Sequence, residues 1–314
     1  MTTVLVTGGA GFIGSHLCDR LLAEDHRVVA VDDLSTGRIA NLGEARGYGK
    51  EFTFLNMDIR ADGLLPLFER VRPEVVMHLA ADAGVRPSVA DPKFDASVNV
   101  MGLLNVLEGC VRTGVRKIIF ASSGGTIYGE TKKLPAKESA LGASHPLSPC
   151  GITKKVGLDY LSFYQRYRGL DFAALALGNV YGPRQDPRGE AGVVAIFIDR
   201  MSRGESPTVF GDGRQTRDFV FVDDAVHAFA LAMESGTGRL INIGTGVETS
   251  VNDVSTMLAD MLEFIGSPQR ASRPIGEPRR VVLDVGLAAE ELGWKPWTHL
   301  EDGLRETVAF VRGV

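Results

Sequence analysis

Cysteine is scarce: Cys18, Cys110 and Cys150 are the only three in a chain of 314 residues. An odd, widely spaced set builds neither a disulfide framework nor a metal cluster. No metal site is expected, and a reducing, cytoplasmic setting is the simple inference. Charge of one sign is not concentrated either. Net charge is −5 and no long run of Lys or Arg occurs, so nothing points to a nucleic-acid or anionic-membrane surface. No uninterrupted apolar run approaches the roughly 20 residues that span a bilayer. Met1 to Val6 lacks the basic start and cleavage site of a secretory leader. Apolar residues at 44% and charged residues at 23% are ordinary for a globular chain, which excludes disordered and fibrous classes.

What is present is an alternation of short apolar strands and helical stretches. Val4 to Val6, Val28 to Val31, Phe52 to Leu55, Val75 to Leu79, Lys117 to Phe120 and Phe172 to Leu177 read as buried strands. Helical spacing runs over Gly11 to Ala23 and over about Phe94 to Thr113. A further helix starts at Ser148-Pro149 and reaches about Arg168. The alternation predicts an α/β chain, a doubly wound parallel sheet with helices on both faces. After about Gly182 the pattern loosens into glycine- and proline-rich segments with short helices. We expect a ligand-binding sheet domain over 1–178, with part of 218–250 returning to it. A smaller α/β substrate domain would occupy 179–314.

Thr7-Gly8-Gly9-Ala10-Gly11-Phe12-Ile13-Gly14 follows the first strand and opens the first helix. Gly8 permits a tight turn. Gly11 lets the backbone approach a pyrophosphate, and Gly14 lets helix and strand pack closely. The helix N-terminus, at Phe12 and Ile13, supplies free N–H groups and a positive dipole end. Asp32-Asp33 closes the second strand. A carboxylate there accepts from ribose hydroxyls and repels a 2′-phosphate, which favours NAD over NADP. Arg38 lies close by in sequence. Asp58-Ile59 follows the third strand, facing the adenine, and Leu79-Ala80-Ala81 follows the fourth, where small residues let the sheet edge lie against the cofactor. His78 reads as a satisfied buried histidine.

The fifth strand ends in Ser122-Ser123-Gly124-Gly125-Thr126-Ile127-Tyr128-Gly129. Ligands collect at the carboxyl ends of strands in such sheets, so hydroxyls there can meet a substrate. Cys150 and Lys154 stand four apart on the helix begun at Ser148, and so share a face.

With these markers the chain resembles the extended short-chain dehydrogenase/reductases of the nucleotide-sugar group, and most of all the UDP-glucose 4-epimerases. The likeness covers nearly the whole length. It rests on the glycine fingerprint, His78-Leu79-Ala80-Ala81, Asn99 in Val98-Asn99-Val100, the Ser-Ser-Gly-Gly-Thr-Ile-Tyr-Gly run, Asn179-Val180-Tyr181-Gly182-Pro183-Arg184, and Gly211 to Phe219. The resemblance implies bound NAD, a Rossmann domain, and epimerisation at C4 of a nucleotide sugar through a 4-keto intermediate. It implies a Ser or Thr that polarises the C4 oxygen, for which Ser123 leads with Ser122 and Thr126 close behind. It implies a Tyr base with a Lys four residues on; Lys154 matches the Lys. Asn99 and Ser122 would join the cofactor site. Asn179, Phe210, Arg217 and Arg273 would hold the nucleotide sugar, the arginines by bidentate contact with the diphosphate. A homodimer pairing the stretches Phe94–Thr113 and Pro149–Arg168 is also implied.

Cys150 stands where the Tyr is expected. A Cys sulfur lies roughly 3 Å from its Cα and a Tyr oxygen roughly 6 Å, a gap of about one water. Cys150 acting through a water, with Lys154 and the positive nicotinamide favouring its thiolate, is one reading. Proton transfer by Tyr128 or a serine is a second. A substitution that weakens catalysis is a third, and a merely small helix residue a fourth. Gly125-Thr126 place no carboxylate where the sugar dehydratases and decarboxylases of this group carry one, which favours simple epimerisation. Those related activities, 4-epimerisation of UDP-glucuronate or another nucleotide sugar, and an NAD-bound sensor without catalysis are the alternatives.

Overall fold

The computed structural model describes residues 1–313 apart from 132, 189–191 and 274–275. β1 (Thr3–Thr7) turns into α1 (Phe12–Ala23), followed by β2 (Arg27–Asp32), β3 (Phe52–Asn56), α2 (Leu64–Val71) and β4 (Val75–His78). α3 (Val85–Ala90) precedes α4 (Pro92–Ala96), which passes through a π-helical stretch, Ser97–Gly102, into α5 (Leu103–Thr113). β5 (Lys117–Ser123), α6 (Pro149–Arg168) and β6 (Asp171–Leu177) follow. The remainder holds β7 (Asn179–Tyr181), α7 (Val193–Ser202), β8 (Thr208–Phe210), β9 (Thr216–Arg217), β10 (Phe219–Phe221), α8 (Val222–Leu231), β11 (Arg239–Ile243), β12 (Thr249–Ser250), α9 (Val251–Leu262), β13 (Gln269–Ala271), α10 (Gly286–Leu292) and α11 (Leu300–Arg312).

Seven strands form one parallel sheet in the order β11-β6-β5-β4-β1-β2-β3. This is the doubly wound sheet expected from the alternation. Strand order reverses between β1 and β4, which opens a crevice at their carboxyl ends. Both faces of the strands are apolar, because helices cover both. Val4, Val6 and Met77 pack with Leu17 and Leu21 of α1 and Phe229 of α8. Leu5, Val76 and Ile118 pack with Phe68 of α2, Val106 of α5 and Leu158 of α6.

α6 begins where Ser148-Pro149 predicted: Ser148 Oγ accepts from Gly151 N–H at 3.3 Å and Pro149 takes the first turn. By length and mean hydropathy the continuous helix Pro92–Thr113 is long and apolar enough for a membrane span. Lys93, Asp95, Glu108 and Arg112 break its apolar run, and one side packs into the core with Leu103, Val106, Leu107 and Cys110.

Beyond β6 the chain forms small two-stranded pieces, β7 with β10, β9 with β12 and β8 with β13. β11 then returns to extend the main sheet beside β6. Asp218 organises this region. Its buried carboxylate accepts from Thr245 N–H (2.6 Å), Thr245 Oγ1 (2.7 Å), Gly246 N–H (3.1 Å) and Leu283 N–H (3.1 Å).

Candidate active site

Backbone sterics demand glycine at two of the three loop positions. Gly8 adopts φ +72°, and a Cβ there would meet the backbone of Leu79 and Ala80 at 2.8–2.9 Å. A Cβ on Gly14 would overlap the Gly8 carbonyl oxygen. A Cβ on Gly11 would meet only that same oxygen, at 3.1 Å, and otherwise project into open space. No side chain caps α1, and its first turn carries no acid, so the N–H groups at Phe12 and Ile13 remain for an anion.

Asp32 Oδ2 accepts from Ala10 N–H at 3.0 Å, and its Oδ1 accepts from Leu34 N–H at 2.8 Å. Each oxygen keeps a lone pair for a hydroxyl. Burial pushes this carboxyl up, against the pull of the backbone bonds. Asp33 instead folds onto its own turn, accepting from Ser35 N–H and Oγ at 2.9 and 2.6 Å. The Arg38 guanidinium lies 2.6 Å from Asp186. Asp58 is gripped by Arg60, Nη2 to Oδ2 at 2.6 Å, which holds its carboxyl below the usual range. The Ile59 side chain is buried in the core. These two offer a ligand their backbone rather than free side-chain groups. Leu79, Ala80 and Ala81 line the switch-point crevice, with Ala80 N–H 3.3 Å from Thr7 Oγ1. The cradle fits a dinucleotide: a glycine-rich loop, an uncapped helix end and a carboxylate at the end of β2.

His78 behaves as the sequence suggested. It bonds Thr7 Oγ1 at 2.8 Å and stacks on Phe120, and burial lowers it to about 3.

Lys154 is buried. Its Nζ donates to the Ala121 carbonyl at 2.9 Å and stands 5.0 Å from the Phe120 ring centroid. Ser122 is also buried, and its Oγ has no hydrogen-bond partner among the described residues. A methyl on Gly125 would stand 3.7 Å from Ser123 Oγ and 3.9 Å from Asn179 Oδ1, so those two polar groups border one space. Thr126 Oγ1 lies 3.5 Å from the Ser123 carbonyl, and the Thr126 carbonyl packs against Gly151 on α6.

The Cys150 sulfur lies 3.8 Å from the Asp82 carbonyl. Burial pushes the thiol up to about 11; Lys154 opposes the shift, while Asp95 and Asp82 add to it. Among the protein groups, then, the thiolate that Lys154 was expected to favour loses to desolvation. Tyr128 is corrected as a proton-transfer candidate. Its hydroxyl is buried and donates to Asn242 Oδ1 on β11 at 2.6 Å, and burial raises its pKa well above the usual value.

Asn99 is not a free polar contact either. Its amide accepts from Asp82 N–H and donates to the Asp82 carbonyl and to Asp95 Oδ1, each at 2.9 Å, and to Thr153 Oγ1 at 3.2 Å. It sits in the π-helical turn, a local widening that is frequent at functional sites. From there it holds the Asp82 loop against the helix carrying Cys150 and Lys154.

In the second half of the chain, Arg217 Nη2 lies 3.0 Å from Glu277 Oε2, and Arg273 Nη2 donates to the Glu277 carbonyl at 2.6 Å. Burial and the positive charge of Arg273 both lower the Arg217 pKa, against the pull of Glu277. The two arginines therefore converge, although residues 274–275 of the Arg273-Pro274-Ile275-Gly276 stretch lie outside the described set. The Phe210 ring carries the Arg86 guanidinium 4.5 Å from its centroid. Gly276 comes down on Leu147 and Ser148 at the start of α6, so this loop borders the end of the helix that bears Cys150.

A model of the NAD dependent epimerase/dehydratase family matches residues 4–244. The chain belongs to that family. It is 46% identical over 309 residues to a UDP-glucose 4-epimerase of Mycolicibacterium smegmatis, with 98% of each chain covered. It superposes on the crystal structure of UDP-glucose 4-epimerase with UDP-glucose from Thermotoga maritima with TM-score 0.94, 45% identity and 99% of both chains covered. A Thermus thermophilus UDP-glucose 4-epimerase in complex with NAD gives TM-score 0.92 and 41% identity, again over 99% of both chains. NAD is the cofactor of this epimerase-family chain.

Two residues of this family member escaped the sequence reading. Asp95 is fully buried and accepts from Thr153 Oγ1 and Asn99 at 2.9 Å. Asp218, within the Arg217-Asp218-Phe219 motif, ties three loops together. The motif marked the second of these by position; nothing local marked the first.

Proposed function

We propose that the chain interconverts C4 epimers of a nucleotide sugar, of the UDP-glucose/UDP-galactose type, with resident NAD. The observation that carries this reading is the convergence of Ser123 Oγ and Asn179 Oδ1 on the space beside Gly125, with Lys154 fixed to the Ala121 carbonyl of β5. Residues 1–178 with β11 serve the cofactor, and most of 179–314 serves the sugar nucleotide. Gly8, Gly11 and Gly14 with the α1 N-terminus hold the pyrophosphate, and Asp32 holds the adenosine ribose. Arg217 and Arg273 clamp the substrate diphosphate.

Bound NAD supplies the reversible two-electron acceptor for the sugar carbon. Ser123 Oγ donates to the C4 oxygen and orients it. The C4 hydroxyl donates its own hydrogen to water filling the gap above Cys150, which passes the proton on to solvent and returns one when the keto group is reduced. The thiol, protonated at neutral pH, orients that water. The fixed Lys154 charge stabilises the negative oxygen left behind. The absence of a carboxylate at Gly125-Thr126 leaves the site without the acid an elimination needs. Purified protein supplied with UDP-glucose or UDP-galactose is expected to interconvert them, followed by proton NMR. No turnover of these or of dTDP-, GDP- and ADP-sugars, with NAD still bound, would favour the sensor reading instead. The misplaced reach of Cys150 is the observation that favours that second reading.

A cytoplasmic setting suits three cysteines that are all free thiols. A homodimer is supported by exposed Phe94 and Met101 on the Pro92–Thr113 helix, and by Ile152, Phe163 and Tyr167 on neighbouring α6. Light scattering after size exclusion tests it.

A further inference from the structure

Arg38 and Asp32 bind two sides of one residue of the glycine loop. Asp32 Oδ2 accepts from Ala10 N–H at 3.0 Å, and Arg38 N–H donates to the Ala10 carbonyl at 2.9 Å. Gly37 closes the loop between them so tightly that a Cβ would stand 2.5 Å from Asp32 Oδ1. Arg38 Cα is therefore held beside the ribose carboxylate. A guanidinium reaches roughly 6 Å from its Cα, enough to meet a phosphate on a ribose hydroxyl at Asp32.

That guanidinium is turned to another partner. Its Nη2 lies 2.6 Å from Asp186 Oδ2. Asp186 comes from the other half of the chain, in the turn after β7. The turn is fastened to α1: His16 Nε2 bonds the Pro183 carbonyl at 3.0 Å and Arg184 Nη1 donates to Asp19 Oδ2 at 2.5 Å. Arg188 also donates to Asp186, Nε to Oδ1 at 3.2 Å, so this carboxylate keeps a cation when Arg38 leaves.

We propose that Asp186 is a cofactor-selectivity residue: by holding Arg38 it withholds the cation a 2′-phosphate would need, and so reinforces Asp32 in favouring NAD over NADP. The inference rests on the placement of Asp32 at the adenosine ribose. Arg38 and Asp186 are 43% and 28% exposed, and a pair of that kind shifts an equilibrium by roughly two- to fivefold.

The test is calorimetric titration of NAD and NADP into full-length protein freed of nucleotide. Asp186→Asn and Asp186→Ala should each tighten NADP by about two- to fivefold and leave NAD within about twofold. Adding Arg38→Ala should erase the gain. The idea is overturned if NADP affinity does not move, if the gain survives Arg38→Ala, or if both nucleotides shift together, the mark of a strap between the halves. Asp32→Ala is titrated separately: unchanged NAD affinity there would remove the ribose placement itself, whatever Asp186 does.

Discussion

Lys154 Nζ donates to the carbonyl oxygen of Ala121 across 2.9 Å. The bond ties α6 to the last turn of β5, immediately before Ser122 and Ser123. One peptide group thus sets the distance between the buried charge and the serine hydroxyls. Burial lowers the Lys154 pKa, with Cys150 and Asp95 pulling it back. Lys154→Met keeps most of the apolar stem and removes the ammonium and its charge. Turnover should fall on the order of a hundredfold, while the melting temperature changes little. A variant that retains near-normal turnover would detach Lys154 from the chemistry.

Cys150 sits one helical turn earlier and cannot reach as far as the residue its place implies. Since its thiol is held protonated, Cys150→Ala should change turnover by less than about threefold. Cys150→Tyr should leave NAD binding intact and raise turnover about tenfold or more, because a positioned acid–base group contributes roughly 10²–10⁴-fold. Initial rates with UDP-galactose decide it. Complete loss of activity in the Tyr variant would mean that the thiol itself is required.

The parts of this molecule governed by local spacing were legible in advance. Gly8, Gly11 and Gly14 are set by backbone sterics within a single turn, and Ser148-Pro149 is a local helix start. The parallel, doubly wound sheet followed from alternation. The parts governed by distant partners were not. Nothing near Tyr128 in sequence says that its hydroxyl meets Asn242, and nothing near Asn99 says that its amide is spent on Asp82, Asp95 and Thr153. Cys150 lay between: its reach could be judged from bond lengths, but its desolvation depended on how deeply the fold buries it.

The two later glycines of the loop separate folding from binding. Gly11→Ala adds a methyl that meets one atom closely, the Gly8 carbonyl oxygen at 3.1 Å, which a small shift relieves. It should fold normally and lose most NAD affinity. Gly14→Ala forces α1 away from β1, because the added Cβ overlaps Gly8. It should lower the melting temperature by several degrees as well. Thermal melts with and without NAD distinguish the two, and equal melting of both variants would contradict the assignment.

Lys117 is buried at the other end of β5, its Nζ donating to the Ser235 carbonyl at 2.6 Å. Burial lowers its pKa from 10.5 to about 8. Between those values the folded chain binds fewer protons at this site than the unfolded chain, so stability at this site rises with pH. Below pH 8 the full cost of burying the charge is present. Denaturant unfolding of wild type and Lys117→Met, at pH 7 and pH 9.5, should show the wild type gaining on the variant as pH rises. A constant difference would place the ammonium in a solvated position, and a wild type losing ground as pH rises would mean that the fold stabilises the charge.

Arg217 is the better buried of the two converging arginines, at 12% side-chain exposure, and its guanidinium is already oriented by Glu277 and by the Thr216 carbonyl at 2.9 Å. A planar fork fixed in this way suits two phosphate oxygens at once; a lysine ammonium is a point charge without that match. If the diphosphate is bound equally in ground and transition states, loss of the fork weakens both together. Arg217→Lys should therefore raise KM for the UDP-sugar about tenfold with kcat nearly unchanged, and Arg217→Ala should raise it further. Initial-rate kinetics across substrate concentration give the split. A fall in kcat at unchanged KM would instead place Arg217 beside the reacting carbon.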